Sequence, residues 1–171
     1  YDMPRRDTVP HDSDVDSKGL VWYTDQSAYF VGRLDPKTGE FKEWPLPKAE
    51  HHEFGGASDI QADKEDNLWF PVTHDATPSH FGIPGKFDPK TEKFTFVPNF
   101  KGTAQFLALA PDGHIVAGGN KIDPKTMTVV DTFSYNVKNA PPGQHAGYEP
   151  SMDSKGNWYI TDFGAGYIIK V

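Results

Sequence analysis

Cysteine is absent from this chain of 171 residues. Without it there can be no disulfide, no thiolate metal site, no cysteine nucleophile and no haem attachment through Cys-x-x-Cys-His. No apolar run approaches about 20 residues, so we expect no membrane insertion. An excess of positive charge is missing too, because the formal net charge is −7. That charge argues against electrostatic binding of nucleic acid or anionic lipid.

Helical periodicity is also missing, since no stretch sustains apolar residues at a spacing of about 3.6. The chain is instead rich in turn-forming residues, with 15 prolines and 16 glycines. Its 12 phenylalanines, 7 tyrosines and 4 tryptophans can fill the core of a single domain. This balance predicts an all-β protein with many tight turns.

One pattern of turns and short strands recurs four times, and the copies align on Asp16, Asp63, Ala110 and Asp153. In the first copy a turn at Asp16-Ser-Lys-Gly19 precedes Leu-Val-Trp-Tyr-Thr-Asp. Repeats of roughly 43–47 residues with four strands each are typical of β-propeller blades. We therefore predict a β-propeller of four-stranded antiparallel blades, with the strands named A to D from the centre outwards.

The predicted blades span about 8–47, 55–99, 102–136 and 147–171, with residues 1–6 as an outer strand. Tyr1-Asp-Met-Pro4 resembles Trp44-Pro-Leu-Pro47, which predicts that the chain begins in a D strand and ends in a C strand. The first strand could then complete the last blade of a four-bladed ring. Alternatively, the chain is part of a larger ring of about six to eight blades, or associates with another chain to complete one.

The C–D hairpin turns share the letters Asp-Pro-Lys-Thr, which favour a tight turn. The first copy continues with Gly39, a residue that adopts a left-handed conformation without steric cost. The next two copies have Glu92 and Met127 instead. We therefore expect their turns to be slightly strained or of another type.

Three carboxylates occupy one equivalent position of the A strands, in Asp12, Asp59 and Glu149, where the third copy has Phe106. The starts of A strands and the ends of B strands meet on one face of a propeller, beside the central channel. We therefore expect an acidic ring there, which would suit Mg²⁺ or Ca²⁺ as a cofactor. The alternative is a set of solvated or turn-capping carboxylates.

The same face gathers candidates for catalysis. His11 opens the first A strand, while Asp25 and Asp162 end equivalent B strands. A histidine near carboxylates can be a general base or a metal ligand, so these three are the catalytic candidates. Candidates for substrate contact come from the loops of this face, and they are His52, His74, His145 and Tyr148. The alternative is that these are ordinary polar loop residues.

The segment from Pro10-His11 to Asp25, with Val31 to Pro47, resembles a blade of the virginiamycin B lyase (streptogramin lyase) family. The resemblance implies a bacterial seven-bladed propeller, of which this chain would supply a little over half. In that family, histidine and glutamate with Mg²⁺ open a cyclic depsipeptide antibiotic: a base removes the proton α to a carbonyl and the ester oxygen leaves. His11 matches the family's strand opening, and Asp25 and Asp162 stand where lyases often have glutamate.

Two classes of function follow. The first is a metal-assisted lyase, with His11 as general base and the three carboxylates as metal ligands. Its enzymatic alternative is a Ca²⁺-dependent lactonase (a hydrolase) like the gluconolactonase propellers, which Tyr148-Glu149-Pro150 faintly resembles. The second class is a non-catalytic binding module whose partner is a small molecule or a protein. We expect an extracytoplasmic location, periplasmic or secreted, and because the chain begins with Tyr1 we infer processing or a longer parent.

Overall fold

The computed structural model describes residues 1–27, 29–47, 54–74, 82–102, 104–133, 149–162 and 166–170. In this part of the chain all regular structure is β-strand, arranged as four antiparallel sheets in chain order. The first sheet has the order β1-β2-β3-β4 and consists of β1 (Pro10–Val15), β2 (Val21–Asp25), β3 (Phe30–Leu34) and β4 (Phe41–Pro45). None of the described segments forms a helix long and apolar enough to cross a membrane.

The remaining sheets repeat this order with small departures. The second contains β5 (Phe54–Ala57), β6 (Gln61–Ala62), β7 (Leu68–His74), β8 (Ile83–Asp88) and β9 (Lys93–Phe96), with both β5 and β6 paired to β7. The third contains β10 (Leu107–Leu109), β11 (Ile115–Ala117), β12 (Asn120–Asp123) and β13 (Thr128–Thr132). The fourth contains β14 (Pro150–Met152), β15 (Trp158–Asp162) and β16 (Tyr167–Lys170). Inner strands of consecutive sheets contact one another, so the predicted fold class is confirmed as a partial propeller.

An aspartate at the end of the inner strand organises the first turn of the repeat. Asp16 accepts hydrogen bonds from the backbone N–H groups of Lys18 (2.9 Å) and Leu20 (3.0 Å) and from Trp22 Nε1 (2.9 Å). We call this set of hydrogen bonds the brace. It holds the turn and the buried indole together, and this explains why aspartate and an aromatic residue recur at these two positions. Equivalent braces join Asp63 to Trp69 Nε1 at 2.9 Å and Asp153 to the Tyr159 hydroxyl at 3.3 Å. The third repeat has Ala110 and Val116 at these positions.

Aromatic and aliphatic side chains fill the spaces between consecutive sheets. Trp22 and Trp44 of the first sheet stack with ring centroids 5.4 Å apart and pack on Phe87 of the second. Trp69 performs the same role towards the third sheet, and Trp158 of the fourth packs back on the third. Burying each large side chain stabilises the fold by roughly 2–3 kcal/mol. The core therefore lies between the sheets, and each sheet depends on its neighbour for burial.

Glycine in the third strand of the repeat makes room for an aromatic ring of a neighbouring strand. A Cβ on Gly32 would lie only 2.0 Å from the ring of Tyr23, and one on Gly85 would lie 2.8 Å from the ring of Phe96. The rings thus lie directly over the glycine backbone. This close approach explains glycine at both positions.

Side chains also join the inner strands of neighbouring sheets. Asp14 accepts from the backbone N–H of Ala62 at 2.8 Å. Gln61 lies at the same repeat position one sheet later: its Nε2 donates to the Leu107 carbonyl at 2.7 Å, and its Oε1 accepts from Leu109 N–H at 3.3 Å. We call these hydrogen bonds between the inner strands of neighbouring sheets the seams. They fix the rotation of one sheet relative to the next.

The C–D turns keep one geometry in spite of their different residues. Gly39, Glu92 and Met127 all have positive φ, at 77°, 56° and 57°. Each donates its N–H to the carbonyl of the aspartate that starts its turn. The expected strain is therefore present, because a side chain in this conformation costs roughly 1–2 kcal/mol, but the turn type does not change.

Residues 1–6, which the sequence predicts as an outer strand, form no strand in the described chain. Residues 1–9, here called the N-terminal segment, form turns and irregular backbone against the first sheet. The Tyr1 hydroxyl donates to the Pro36 carbonyl at 2.8 Å, and Arg5 Nε donates to Glu43 at 2.8 Å. Side-chain contacts with the first sheet hold the segment, so in this chain it does not pair with the fourth.

Candidate functional site

Three carboxylates from three sheets lie at one end of the inner strands. Asp12 is in β1, Asp59 lies between β5 and β6, and Glu149 immediately precedes β14. The charges of Asp12 and Glu149 both raise the pKa of Asp59, so each of these two carboxylates lies within electrostatic range of Asp59. We call this end of the sheets the acidic mouth.

Asp59 is the buried member of the acidic mouth, with only 7% of its surface exposed. Its Oδ1 accepts from the N–H of Ile60 and its Oδ2 from that of Leu107, both at 2.8 Å. Burial raises the pKa of Asp59 to about 6, and the neighbouring carboxylates add to the rise while the two hydrogen bonds oppose it. Asp59 therefore titrates well above the ordinary range of an aspartate.

His11 stands beside the exposed carboxylate of the mouth. Its Nδ1 lies 2.8 Å from Asp12 Oδ2, and its ring centroid lies 6.4 Å from that of Phe106. When Nδ1 donates to the carboxylate, Nε2 carries the lone pair and is the ring nitrogen that can accept a proton from a ligand. Asp12 thus orients His11 as a base, and the ring of Phe106 lies nearby.

Two threonines fix the strand starts that carry the exposed carboxylates. Asp12 N–H donates to Thr24 Oγ1 at 3.4 Å, and Glu149 N–H donates to Thr161 Oγ1 at 3.2 Å. Neither threonine is among the residues predicted from the sequence. The signal was present, however, because Thr-Asp recurs at the ends of β2 and β15.

Asp25 is fully buried and holds the N-terminal segment. Its carboxylate accepts from Arg5 Nη2 at 3.1 Å and from Ser27 N–H at 2.9 Å. The same guanidinium binds Glu43, which also accepts from the Tyr23 hydroxyl at 2.8 Å. The structure therefore gives Asp25 an anchoring role, and its catalytic role stays a prediction. Arg5 is not among the residues predicted from the sequence.

Several predicted site residues cannot be placed. His52, His145 and Tyr148 lie outside the described residues, and only the backbone of His74 and Asp162 is described. Within the described ranges no three His, Asp or Glu side chains lie close enough together to hold a metal ion. Asp59 also uses both oxygens for backbone donors. The described residues therefore give an incomplete donor set, and the metal site stays a prediction.

A cleft between the first two sheets opens near the A–B turns, at the opposite end from the acidic mouth. Its charged lining residues are Asp16, Lys18, Arg33, Asp66 and Lys90. None of the predicted site residues lines it, and its two carboxylates already accept hydrogen bonds from Trp22 and Ser17. We therefore regard the acidic mouth as the candidate site.

Comparison with known proteins identifies the fold. A scan of protein-family descriptions gives no match, and neither does a search of curated proteins. Among solved structures, virginiamycin B lyase from Staphylococcus aureus aligns with a TM-score of 0.66 at 18% identity, covering 97% of this chain and 56% of the lyase. A catalytically inactive variant of that lyase with quinupristin aligns with a TM-score of 0.67 at 17% identity, covering 99% of this chain and 57% of that one.

Two other structures show how widely this fold is shared. The extracellular domain of a putative one component system from B. thetaiotaomicron aligns with a TM-score of 0.71 at 14% identity, over 98% of this chain and 22% of that one. A gluconolactonase from Xanthomonas campestris aligns with a TM-score of 0.63 at 11% identity, over 94% of this chain and 61% of the enzyme. The chain thus has the propeller fold of these proteins and spans a little over half the length of the lyases. Fold alone does not determine which activity it has.

Proposed function

We propose that this chain is an extracytoplasmic propeller module that binds a cationic small ligand or a divalent cation at the acidic mouth. The observation that carries the proposal is that the charges of Asp12 and Glu149, which come from two other sheets, both act on the buried carboxylate of Asp59. Clustered carboxylates in a partly buried place create a negative potential that attracts cations. The similarity to an extracellular domain supports the location.

Proton release gives this proposal a specific signature. Because the pKa of Asp59 is raised to about 6, part of the protein carries a proton there at pH 6. A cation bound near the three carboxylates favours the ionised form and lowers that pKa. Binding should therefore release a proton and should strengthen as the pH rises from 5 to 7.5.

Calorimetry with CaCl₂ and with MgCl₂ as the probes tests the proposal. In two buffers of different ionisation enthalpy at pH 6, we expect cation binding with proton release. Asp12→Asn and Glu149→Gln should each weaken binding several-fold, whereas Asp131→Asn, an exposed carboxylate on β13, should leave it unchanged. Absence of cation binding in the unsubstituted chain, or equal weakening by the control, would contradict the proposal.

A lyase activity is the second candidate, and the contact between His11 and Asp12 favours it. In such a reaction His11 Nε2 takes the proton α to a carbonyl, the electron pair forms a carbon–carbon double bond, and the C–O bond of the ester breaks. Asp12 stabilises the imidazolium that results. Because the donor set for a metal is incomplete in the described residues, we derive no step through a metal ion.

Quinupristin, present in the structure of the inactive lyase variant, is the direct probe for this candidate. Mass spectrometry distinguishes elimination, which opens the ring without change of mass, from hydrolysis, which adds one water. We expect a ring-opened product of unchanged mass that disappears in His11→Ala and persists in His114→Ala, a histidine near β11. Recovery of intact quinupristin from both proteins would exclude lyase activity on this compound, while hydrolysis of gluconolactone would favour a lactonase.

A further inference from the structure

The cleft between the first two sheets gathers three cations at the end of the array opposite the acidic mouth. Its volume is about 180 Å³. Lys18 lies in the A–B turn of the first sheet and Arg33 on β3, while Lys90 lies in the C–D turn of the second sheet. All three line the cleft, together with Asp16 and Asp66. Both walls belong to described sheets of this chain, so nothing beyond them is needed to form the cleft.

The two carboxylates of the cleft are occupied by donors from the turns. Asp16 carries the brace, in which Oδ1 accepts from Leu20 N–H at 3.0 Å and Oδ2 accepts from Trp22 Nε1 at 2.9 Å. Asp66 accepts at both oxygens from Ser17, whose N–H donates at 2.9 Å and whose hydroxyl donates at 2.8 Å. These carboxylates therefore hold the two turns in place.

The two lysines of the cleft have weaker partners. Hydrogen bonds from Ser17 chiefly lower the pKa of Asp66, and the charges of Lys18 and Lys90 lower it further, so both amines lie within electrostatic range of this carboxylate. In the part of the chain that the structure describes, Lys90 Nζ donates to the Glu65 carbonyl at 3.4 Å and Lys18 Nζ has no acceptor. Both lysines are exposed and can turn towards a ligand.

Arg33 is the least satisfied cation of the cleft. Its Cζ lies 5.7 Å from the ring centroids of both Trp22 and Trp44, and its Nε is buried without an acceptor among the described residues. The charge of Arg33 contributes to the lowered pKa of Glu92, but the main cause is the hydrogen bond from Lys42, at 2.5 Å. A buried donor without a partner is unfavourable, and a bound ion is one ordinary explanation for it.

The repeat shows that a cation at this position normally has an acceptor. Backbone pairing gives the position of Arg33 to Lys86 in the second sheet and to Lys121 in the third. Lys86 Nζ lies 3.5 Å from the Pro124 carbonyl oxygen, and Lys121 Nζ lies 2.7 Å from Asp112 Oδ2. The first sheet thus differs from the next two, because its cation lines a cleft and has no such acceptor among the described residues.

We propose that this cleft binds the oxyanion group of a small ligand, a carboxylate or a phosphate, with Arg33 as the main donor. The planar guanidinium can form two parallel hydrogen bonds to such a group, which an ammonium cannot. Lys18 and Lys90 supply two further positive charges, and the apolar lining residues Leu20 and Pro89 can contact the rest of the ligand. This site is separate from the acidic mouth and does not rest on the cation binding proposed above.

Isothermal titration calorimetry of the 171-residue chain at pH 7.5 and constant ionic strength tests the proposal, with sodium phosphate and sodium succinate as the probes. We expect saturable binding, and the tighter probe identifies the group that the cleft recognises. Lys18→Gln and Lys90→Gln should each weaken this binding several-fold, because each removes one of the three positive charges. Absence of saturable binding of both probes would overturn the proposal.

The repeat supplies matched controls for both lysines. Lys155 has the turn position of Lys18 in the fourth sheet, Lys125 has that of Lys90 in the third, and both are exposed. Lys155→Gln and Lys125→Gln remove the same charge outside the cleft and should leave binding unchanged. If they weaken binding as much as the cleft variants do, the attraction is a general effect of surface charge and the proposed site is wrong.

Replacing Arg33 by lysine separates the shape of the guanidinium from its charge. Because an ammonium cannot form the paired hydrogen bonds, Arg33→Lys should lose most of the binding. Amide NMR spectra of the unsubstituted chain locate the site: phosphate should shift the signals of Lys18 and Lys90 and leave that of Asp12, at the acidic mouth, in place. Full affinity in Arg33→Lys, or shifts at the acidic mouth instead of the cleft, would contradict the proposal.

Discussion

Replacing Asp59 by asparagine should remove most of the pH dependence that this carboxyl gives to the free energy of unfolding. The pKa of Asp59 rises from its ordinary 3.8 to about 6 in the folded state, chiefly through burial. One pKa unit corresponds to about 1.4 kcal/mol, so the ionised carboxylate opposes folding by about 3 kcal/mol. This penalty is absent well below the ordinary pKa of 3.8, where both states are protonated, and grows as the pH rises towards 6. Above that value it stays constant.

Asparagine keeps the size of the side chain but can accept only one of the two backbone donors. Loss of the bond from either Ile60 or Leu107 leaves a buried N–H unpaired, which costs about 1–3 kcal/mol at every pH. We therefore expect Asp59→Asn to be clearly less stable than the original chain at pH 4. The two proteins should have similar stability at pH 7.5, where the original chain bears the charge penalty.

Urea unfolding followed by tryptophan fluorescence, at intervals from pH 4 to pH 8, measures this difference. The difference in unfolding free energy between the two proteins should change by about 3 kcal/mol across that range. Asp131→Asn, in the exposed strand β13, should follow the original chain throughout. If the curves for Asp59→Asn and the original chain run parallel, the argument from burial and neighbouring charge is refuted.

Three further changes test the packing and the seams. Gly32→Ala should destabilise the chain by about 1–3 kcal/mol in urea unfolding, because the new Cβ would overlap the Tyr23 ring. Arg5→Met should cost about 3 kcal/mol, because it leaves the buried Asp25 without its cation. Gln61→Ala should cost about 1–3 kcal/mol in thermal unfolding, because it removes both side-chain bonds of that residue across the seam.

Each of these changes has a control within the same region. Adding Tyr23→Leu to Gly32→Ala should recover part of the loss, and strict additivity of the two would contradict the steric explanation. Arg6→Met alters the exposed neighbour of Arg5 and should have little effect. For Gln61, the control is Gln26→Ala, an exposed glutamine next to the first sheet, and equal losses from both substitutions would argue against the contribution of the Gln61 hydrogen bonds.

The sheets could be predicted from the sequence because the residues that form each turn are close to one another in the chain. The aspartate that starts a turn, the glycine that ends it and the indole six residues after Asp16 all lie within one short segment. The N-terminal segment could not be predicted in this way. Its position depends on Arg5 reaching Asp25 and Glu43, which are distant in sequence. The resemblance of Tyr1–Pro4 to a D strand was therefore a misleading guide to its place in a single chain.

The candidate site, too, has features that the sequence predicts and features that depend on residues distant in the chain. Alignment of the repeats placed Asp12, Asp59 and Glu149 at equivalent positions, and equivalence in a repeat carries over to proximity around an axis. Alignment could not show that Asp59 is buried or that backbone donors occupy both of its oxygens. The burial of each residue depends on the sheet that packs next to it. Residues at equivalent positions are therefore exposed to different extents in different repeats.

The brace between an aspartate and the aromatic residue six positions later has an evolutionary consequence. A carboxylate without the aromatic donor, or a donor without the carboxylate, leaves a polar group at the sheet boundary without its partner. Divergence of one repeat from its siblings should consequently proceed by exchange of both positions together. The third repeat, where Ala110 and Val116 stand in place of the pair, has apolar residues at both positions. Libraries that vary these repeats should therefore be built with the two positions linked.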